Sequence, residues 1–349
     1  MQAIAPELSR KIANMNVIAA FMVVILHAGE PQMIGSSGWW WVEIFKTVSK
    51  VAVPYFFVAA GFFLAGHIDE SGWWRKEVVK RMRTLMIPFV TWSLLWWSFY
   101  LPFGIYADYL HSRELGSSLS LFEGKWTKIL GLNLFQCPFY SPMWFLRALF
   151  LMVVASPVVS YIVKRSGGGG GVILLFIAYW IVCPDASRND EWRWFFRYGV
   201  SLFGIFWFAL GMFIRNKIRE WTDLYPWGKR GAVAALGISM CLLAVATATN
   251  LRSFNVRISV EPIFILFALY GVFFFVPASK WADVFTRNAF PIYLLHSFFV
   301  FIIGLVLTNQ DSWMILTARV LVAFVLSLYG AIAMKRLFPK LSAMLFGGR

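Results

Sequence analysis

Ten mostly apolar stretches, most of them about twenty residues long, follow one another along this chain of 349 residues. They cover about 10–28, 40–65, 84–105, 143–163, 171–183, 197–214, 231–249, 259–277, 289–308 and 314–334. A helix rises about 1.5 Å per residue, so roughly twenty such residues cross a hydrocarbon core. A chain patterned this way has one economical fold: an all-α polytopic membrane protein of about ten transmembrane helices. The fifth stretch is the shortest and follows a run of glycines, Gly167 to Gly171, which reads as a flexible loop.

Composition agrees. The chain is 60% hydrophobic and 14% charged, whereas soluble domains have roughly 45–50% apolar and about 25% charged residues. The net charge of +15 would suggest a nucleic-acid partner in a soluble protein; here its distribution argues against one. With the N-terminus inside, the inner segments hold 20 Lys and Arg and the outer segments 8. Basic residues collect in cytoplasmic loops, so both termini are expected in the cytoplasm. The three cysteines show neither paired nor metal-ligand spacing, and no metal site is expected. The longest outer segment, about 106–142, is too short for a soluble domain. Residues 1–349 therefore read as one membrane-embedded unit with no appended soluble domain, and no cleavable leader is visible.

Ionisable side chains inside spans are costly and normally face the bundle interior. Span two carries Glu43, Lys46 and Lys50 at spacings of three and four, hence on one face, with Pro54 placed to kink it. Phe56 and Phe57, just beyond, read as packing or lipid-facing. Span four carries Arg147 beside Trp144, span nine Tyr293 and His296, and span ten Arg319. Counting residues puts His27 at the outer end of span one and Lys50 and His296 nearer the middle. Overlapping depths suggest a shared polar cavity open to the outside. Each residue also has a structural alternative: a Glu43–Lys46 pair, Arg319 snorkelling, Arg147 as a hydrogen-bond hub, His296 as a satisfied core histidine.

Between spans two and three, "WWRKEVVKRMRTLMIPF" places Arg75, Lys76, Lys80, Arg81 and Arg83 together. One reading is a juxtamembrane helix held on anionic membrane lipid. The other is a site for a cytosolic polyanion such as coenzyme A, because Arg and Lys suit phosphate. No glycine-rich phosphate loop is present, so side chains would have to grip it.

Taken together, "NVIAAFMVVILH", "VAVPYFFVAAGFFL", "KRMRTLMIPFVTWS", "SPMWFLRALFLMVVASPVV", "GIFWFALGMFI", "NAFPIYLLH" and "KRLFPKLSAMLFGGR" resemble the acyltransferase family 3 integral membrane proteins in order and spacing. These include bacterial O-acyltransferases of surface polysaccharides. The resemblance implies ten spans, a donor acyl-CoA (acetyl-CoA above all) from the cytoplasm, a glycan or glycolipid hydroxyl as acceptor, and a bacterial inner-membrane location. The family's span-one pattern of a basic residue, ten residues and a histidine falls on Asn16 and His27, so the basic member is replaced. Arg10 or Lys11 stand as substitutes at the helix start. The family's R-x-x-R maps to Lys80 and Arg83, and its Ser-Gly-Phe to Ala60-Gly61-Phe62.

Moving an acyl group from a thioester to a hydroxyl requires a base for the hydroxyl proton, and neutral imidazole suits it. His27 is the expected base, with Glu30 at i+3 to orient it. Arg147 and Lys50 are candidate oxyanion donors; Tyr293 and His296 would orient the acceptor or line the acyl path. Two rival readings use the same residues: a transporter of an anionic or glycan substrate, and a noncatalytic envelope scaffold. The absence of a visible internal repeat weighs against the first, and the intramembrane charges weigh against the second.

Overall fold

A computed structural model describes residues 4–28, 39–96, 98, 141–165, 169–182, 202–218, 220–248, 254–279, 283–306 and 313–348. Among them there is no strand. The helices are α1 (Pro6–Ala28), α2 (Trp39–Ser49), α3 (Ala52–Ala65), α4 (Trp73–Arg81), α5 (87–96), α6 (Trp144–Arg165), α7 (Gly170–Val182), α8 (Leu202–Lys217), α9 (Gly228–Ala248), α10 (Phe254–Phe275), α11 (Ala289–Val306), α12 (Trp313–Leu337) and α13 (Pro339–Phe346). Five stretches are long and apolar enough to cross a bilayer: Pro6–Ala28, Ile44–Ala65, Trp144–Arg165, Gly228–Val245 and Met314–Leu337. Gly170–Tyr179, Glu261–Phe275 and Ala289–Gly304 are shorter apolar helices. The protein is an all-α polytopic membrane protein.

Three local features depart from the sequence reading. Span two is two helices, interrupted at Lys50–Val51. Pro54 explains the break: it has no N–H to give the Lys50 carbonyl, and its ring crowds that carbonyl. The glycine run is only partly loop, because Gly170 and Gly171 already belong to α7, and Gly169 (φ +101°) makes the turn into it. Finally, α4 does not stop before span three. It continues through a wide π turn at Met82–Met86 into α5, with the Ile87 N–H bonded to the Met82 carbonyl.

α1 begins at Pro6, before its apolar run, and its first turns serve α10. Lys11 Nζ donates to the Phe274 carbonyl at 2.9 Å and to that of Val276, and lies 4.2 Å from the Trp221 ring centre. Asn14 Nδ2 donates to the carbonyls of Pro277 and Ser279, both at 2.8 Å. These are carbonyls at and beyond the end of a helix that Pro277 helps to terminate, and they have no intrahelical donor. Lys11 and Asn14 are buried for this reason.

The core is centred on α3, α6 and α8, with Phe57, Trp207, Phe208 and Met152 fully buried. α3 and α8 touch backbone to backbone. A methyl group on Gly61 would lie 2.0 Å from the Phe208 carbonyl oxygen, and one on Gly211 2.0 Å from that of Val58. Small residues permit such an approach between membrane helices, where dispersion is the main attraction. Phe57 fills the hollow over Gly204. Its neighbour Phe56 instead lines a cavity, so only Phe57 packs as expected.

Candidate active site

The cavity measures about 610 Å³. One wall is α3, through Phe56, Ala59, Ala60 and Phe63; another is α6, through Phe145, Leu149 and Val153. Arg81, Arg287 and Lys335 gather at one end, the end that the charge bias assigns to the cytoplasm. Asn16, Phe290 and Tyr293 line it further in. The far end is aromatic. Phe145 lies 5.7 Å from Phe56 and 5.6 Å from Tyr293, centre to centre, and Phe290 stacks on Tyr293 at 6.3 Å. Tyr293 is held there by its hydroxyl, which donates to the Pro142 carbonyl.

The two histidines meet beyond Tyr293. The ring of His296 is 5.8 Å from that of Tyr293 and 5.1 Å from that of His27. Residue counting sets His27 at the outer end of span one and His296 nearer the middle; the two rings instead lie side by side. The correction follows from α1: its first turns lie against the end of α10, so its last turn rises only as far as the middle of α11. His296 is wholly buried. Its Nδ1 faces the Tyr293 carbonyl, which can only accept, so Nδ1 carries the proton. Nε2 then accepts from the Ser297 hydroxyl at 2.9 Å. Both nitrogens are engaged, as in a satisfied core histidine. His27 has no hydrogen bond to either nitrogen among the described residues and remains partly accessible. Of the two, His27 is the imidazole available to take a proton.

The other candidates are distributed as follows. Asn16 Oδ1 lies 3.0 Å from the Tyr55 hydroxyl, which also faces the Ile12 carbonyl at 2.9 Å. Asn16 thus borders the cavity at the position where the family pattern has a basic residue, and Lys11, committed to α10, does not replace it. Lys46 lies within electrostatic reach of His27. Lys50 instead forms an ion pair with Glu261 of α10 at 3.2 Å. Arg147 is buried near the start of α6, one turn from the partly buried Trp144. Arg319 does not snorkel; it is buried and donates to the Val300 carbonyl at 3.1 Å. Glu30 and the side chain of Glu43 lie outside the described residues. So do parts of the expected outward cavity.

The basic segment divides into two faces. Arg81 lines the cavity, while Arg75, Lys76, Lys80 and Arg83 line a separate open depression. Buried Glu77 lies beneath both, 3.1 Å from Lys80 Nζ and 3.4 Å from Arg81 Nε. Arg287 and Lys335 are two of the 20 inner-segment cations. Arg287 forms an exposed pair with Asp283 at 3.4 Å, and Lys335 Nζ donates to Asn288 Oδ1 at 3.0 Å. No group of three metal-ligating side chains occurs among the described residues.

A cationic mouth, an apolar barrel and an imidazole beyond it suit transfer of a group from a polyanionic carrier. The family model for acyltransferase family 3, described as an acyltransferase domain, matches residues 12–336. The chain belongs to that family. It is therefore a membrane acyltransferase, and the match runs over every helix that forms the cavity. No curated protein and no solved structure matches this acyltransferase.

Proposed function

We propose that the protein moves an acyl group, acetyl in the first instance, from cytoplasmic acyl-CoA to a hydroxyl of a surface or lipid-linked glycan. The observation that carries this reading is the cavity itself. Three cations, Arg81, Arg287 and Lys335, line the end that the charge bias assigns to the cytoplasm. They suit the phosphates of the donor. The apolar walls suit its uncharged arm, which brings the thioester toward Tyr293 and the two histidines.

In the reaction, the lone pair of His27 takes the acceptor hydroxyl proton as the oxygen attacks the thioester carbonyl. The tetrahedral intermediate collapses, the C–S bond breaks, and the imidazolium returns the proton to the departing thiolate. Lys46, within electrostatic reach of His27, supplies positive charge where the oxyanion develops. His296, fixed by Tyr293 and Ser297, braces the His27 ring. Direct transfer needs no further group. Reconstituted protein, acetyl-CoA labelled in the acyl group and the host's glycan fraction test the proposal. Label should appear on the glycan with wild type and not with His27→Ala. Label that stays on CoA in both cases would defeat it.

A further inference from the structure

The depression on the outer face of α4 has no part in the cavity. It is lined by Gly72, Arg75, Lys76, Lys80, Arg83 and Thr84, together with Val79, and has a volume of about 630 Å³. Its four cations are exposed. Lys80 leans on Glu77, but Arg75, Lys76 and Arg83 have no carboxylate partner among the described residues. The rim thus offers unused positive charge.

An apolar stripe leaves this depression along the same helix. Val79 (46% exposed), Met82 (46%), Ile87 (43%), Val90 (43%) and Leu94 (58%) face outward. In an uninterrupted α-helix, positions 82 and 87 would point well apart, since five residues overshoot one turn of 3.6. The π turn at Met82–Met86 absorbs the extra residue and returns Ile87 to the line of Met82. The stripe therefore runs unbroken from the basic depression into span three. Trp73 and Trp74 open α4; the 43%-exposed Trp74 anchors its indole N–H on the Val154 carbonyl at 3.1 Å.

We infer that this depression is a binding site for an anionic phospholipid. The phosphate lies among Arg75, Lys76 and Arg83, and an acyl chain follows Met82, Ile87 and Val90 into the bilayer. A soluble phosphate would use the cations but not the apolar stripe. Coenzyme A would need its arm to enter the bundle here, and the entrance to the bundle is on the Arg81 side.

The test uses full-length protein stripped of lipid in neutral detergent and titrated with phosphatidylglycerol or phosphatidylethanolamine, with adducts read by native mass spectrometry. Wild type should prefer phosphatidylglycerol. The triple variant Arg75→Gln, Lys76→Gln, Arg83→Gln should lose at least about tenfold in affinity for it, since each surface cation contributes several-fold. Its affinity for phosphatidylethanolamine should change little. Replacing the exposed inner cations Lys217, Lys229 and Arg230 by Gln should leave the preference intact. In wild type, acetyl-CoA should not displace bound phosphatidylglycerol. Displacement would assign the depression to the donor instead, and an undiminished preference in the Arg75/Lys76/Arg83 variant would exclude it as the lipid site.

Discussion

Gly61→Ala tests whether helix packing sets the dimensions of the active site. The new methyl group would lie 2.0 Å from the Phe208 carbonyl oxygen, 2.8 Å from its carbon and 3.2 Å from its Cα. All three are backbone atoms of α8, so no rotamer change relieves the clash. α3 and α8 must part by about 1 Å to restore an ordinary contact, and overpacking of this kind costs about 1–3 kcal/mol. The same α3 carries Phe56, Ala59, Ala60 and Phe63 on the cavity wall. A displacement of about 1 Å in groups that position a substrate can cost about 100-fold in rate. The variant should therefore melt lower in detergent, followed by tryptophan fluorescence, and should lose kcat/KM. Gly211→Ala, which meets the Val58 carbonyl at 2.0 Å, should behave alike. Gly237→Ala is the control: nothing lies within 4 Å of its added methyl, so it should be neutral or slightly stabilising. A Gly61→Ala protein with wild-type melting and kinetics would refute the close α3–α8 contact and the link from that contact to the cavity.

His27→Ala should lower kcat about 100- to 10,000-fold, the range for a lost general base, without lowering the melting temperature. His296→Ala removes two hydrogen bonds from a fully buried site, so it should lower stability as well as rate; the reverse pattern would exchange their roles. Arg287→Ala with Lys335→Ala should raise KM for acetyl-CoA about tenfold with kcat little changed, and added salt should reproduce part of that rise in wild type; an unchanged KM would remove both residues from the donor site. Lys50→Met should destabilise the protein more than Lys50→Met with Glu261→Met, because the single change leaves a carboxylate unpaired inside the bundle; equal losses would show that the pair is not formed.

The spans were legible because a bilayer imposes a length, and a run of twenty apolar residues has few other uses. The meeting of His27 with His296 was not legible from depth alone. Counting assumes that a helix enters the membrane where its apolar run begins, and α1 spends its first turns holding the end of α10 through Lys11 and Asn14. Nothing in "RKIANM" distinguishes that task from an ordinary basic flank. The mouth of the cavity was hidden for a related reason. Arg287 and Lys335 sit where topology places any cytoplasmic cation, and only the convergence of α4, α11 and α12 separates them from loop charges. Their one local signal is position: Arg287 lies just ahead of α11, and Lys335 in the last turn of α12. The basic run at 75–83 carried the opposite ambiguity, a single cluster in sequence that the helix divides between two faces. Arg81 turns inward and its four neighbours outward, because helical spacing sets the direction of each side chain. A charge cluster read as one donor site thus becomes two surfaces. Adding acetyl-CoA to wild-type protein separates them: it should shield Arg81 from modification by an arginine-selective dicarbonyl reagent and leave Arg75 and Arg83 as reactive as before.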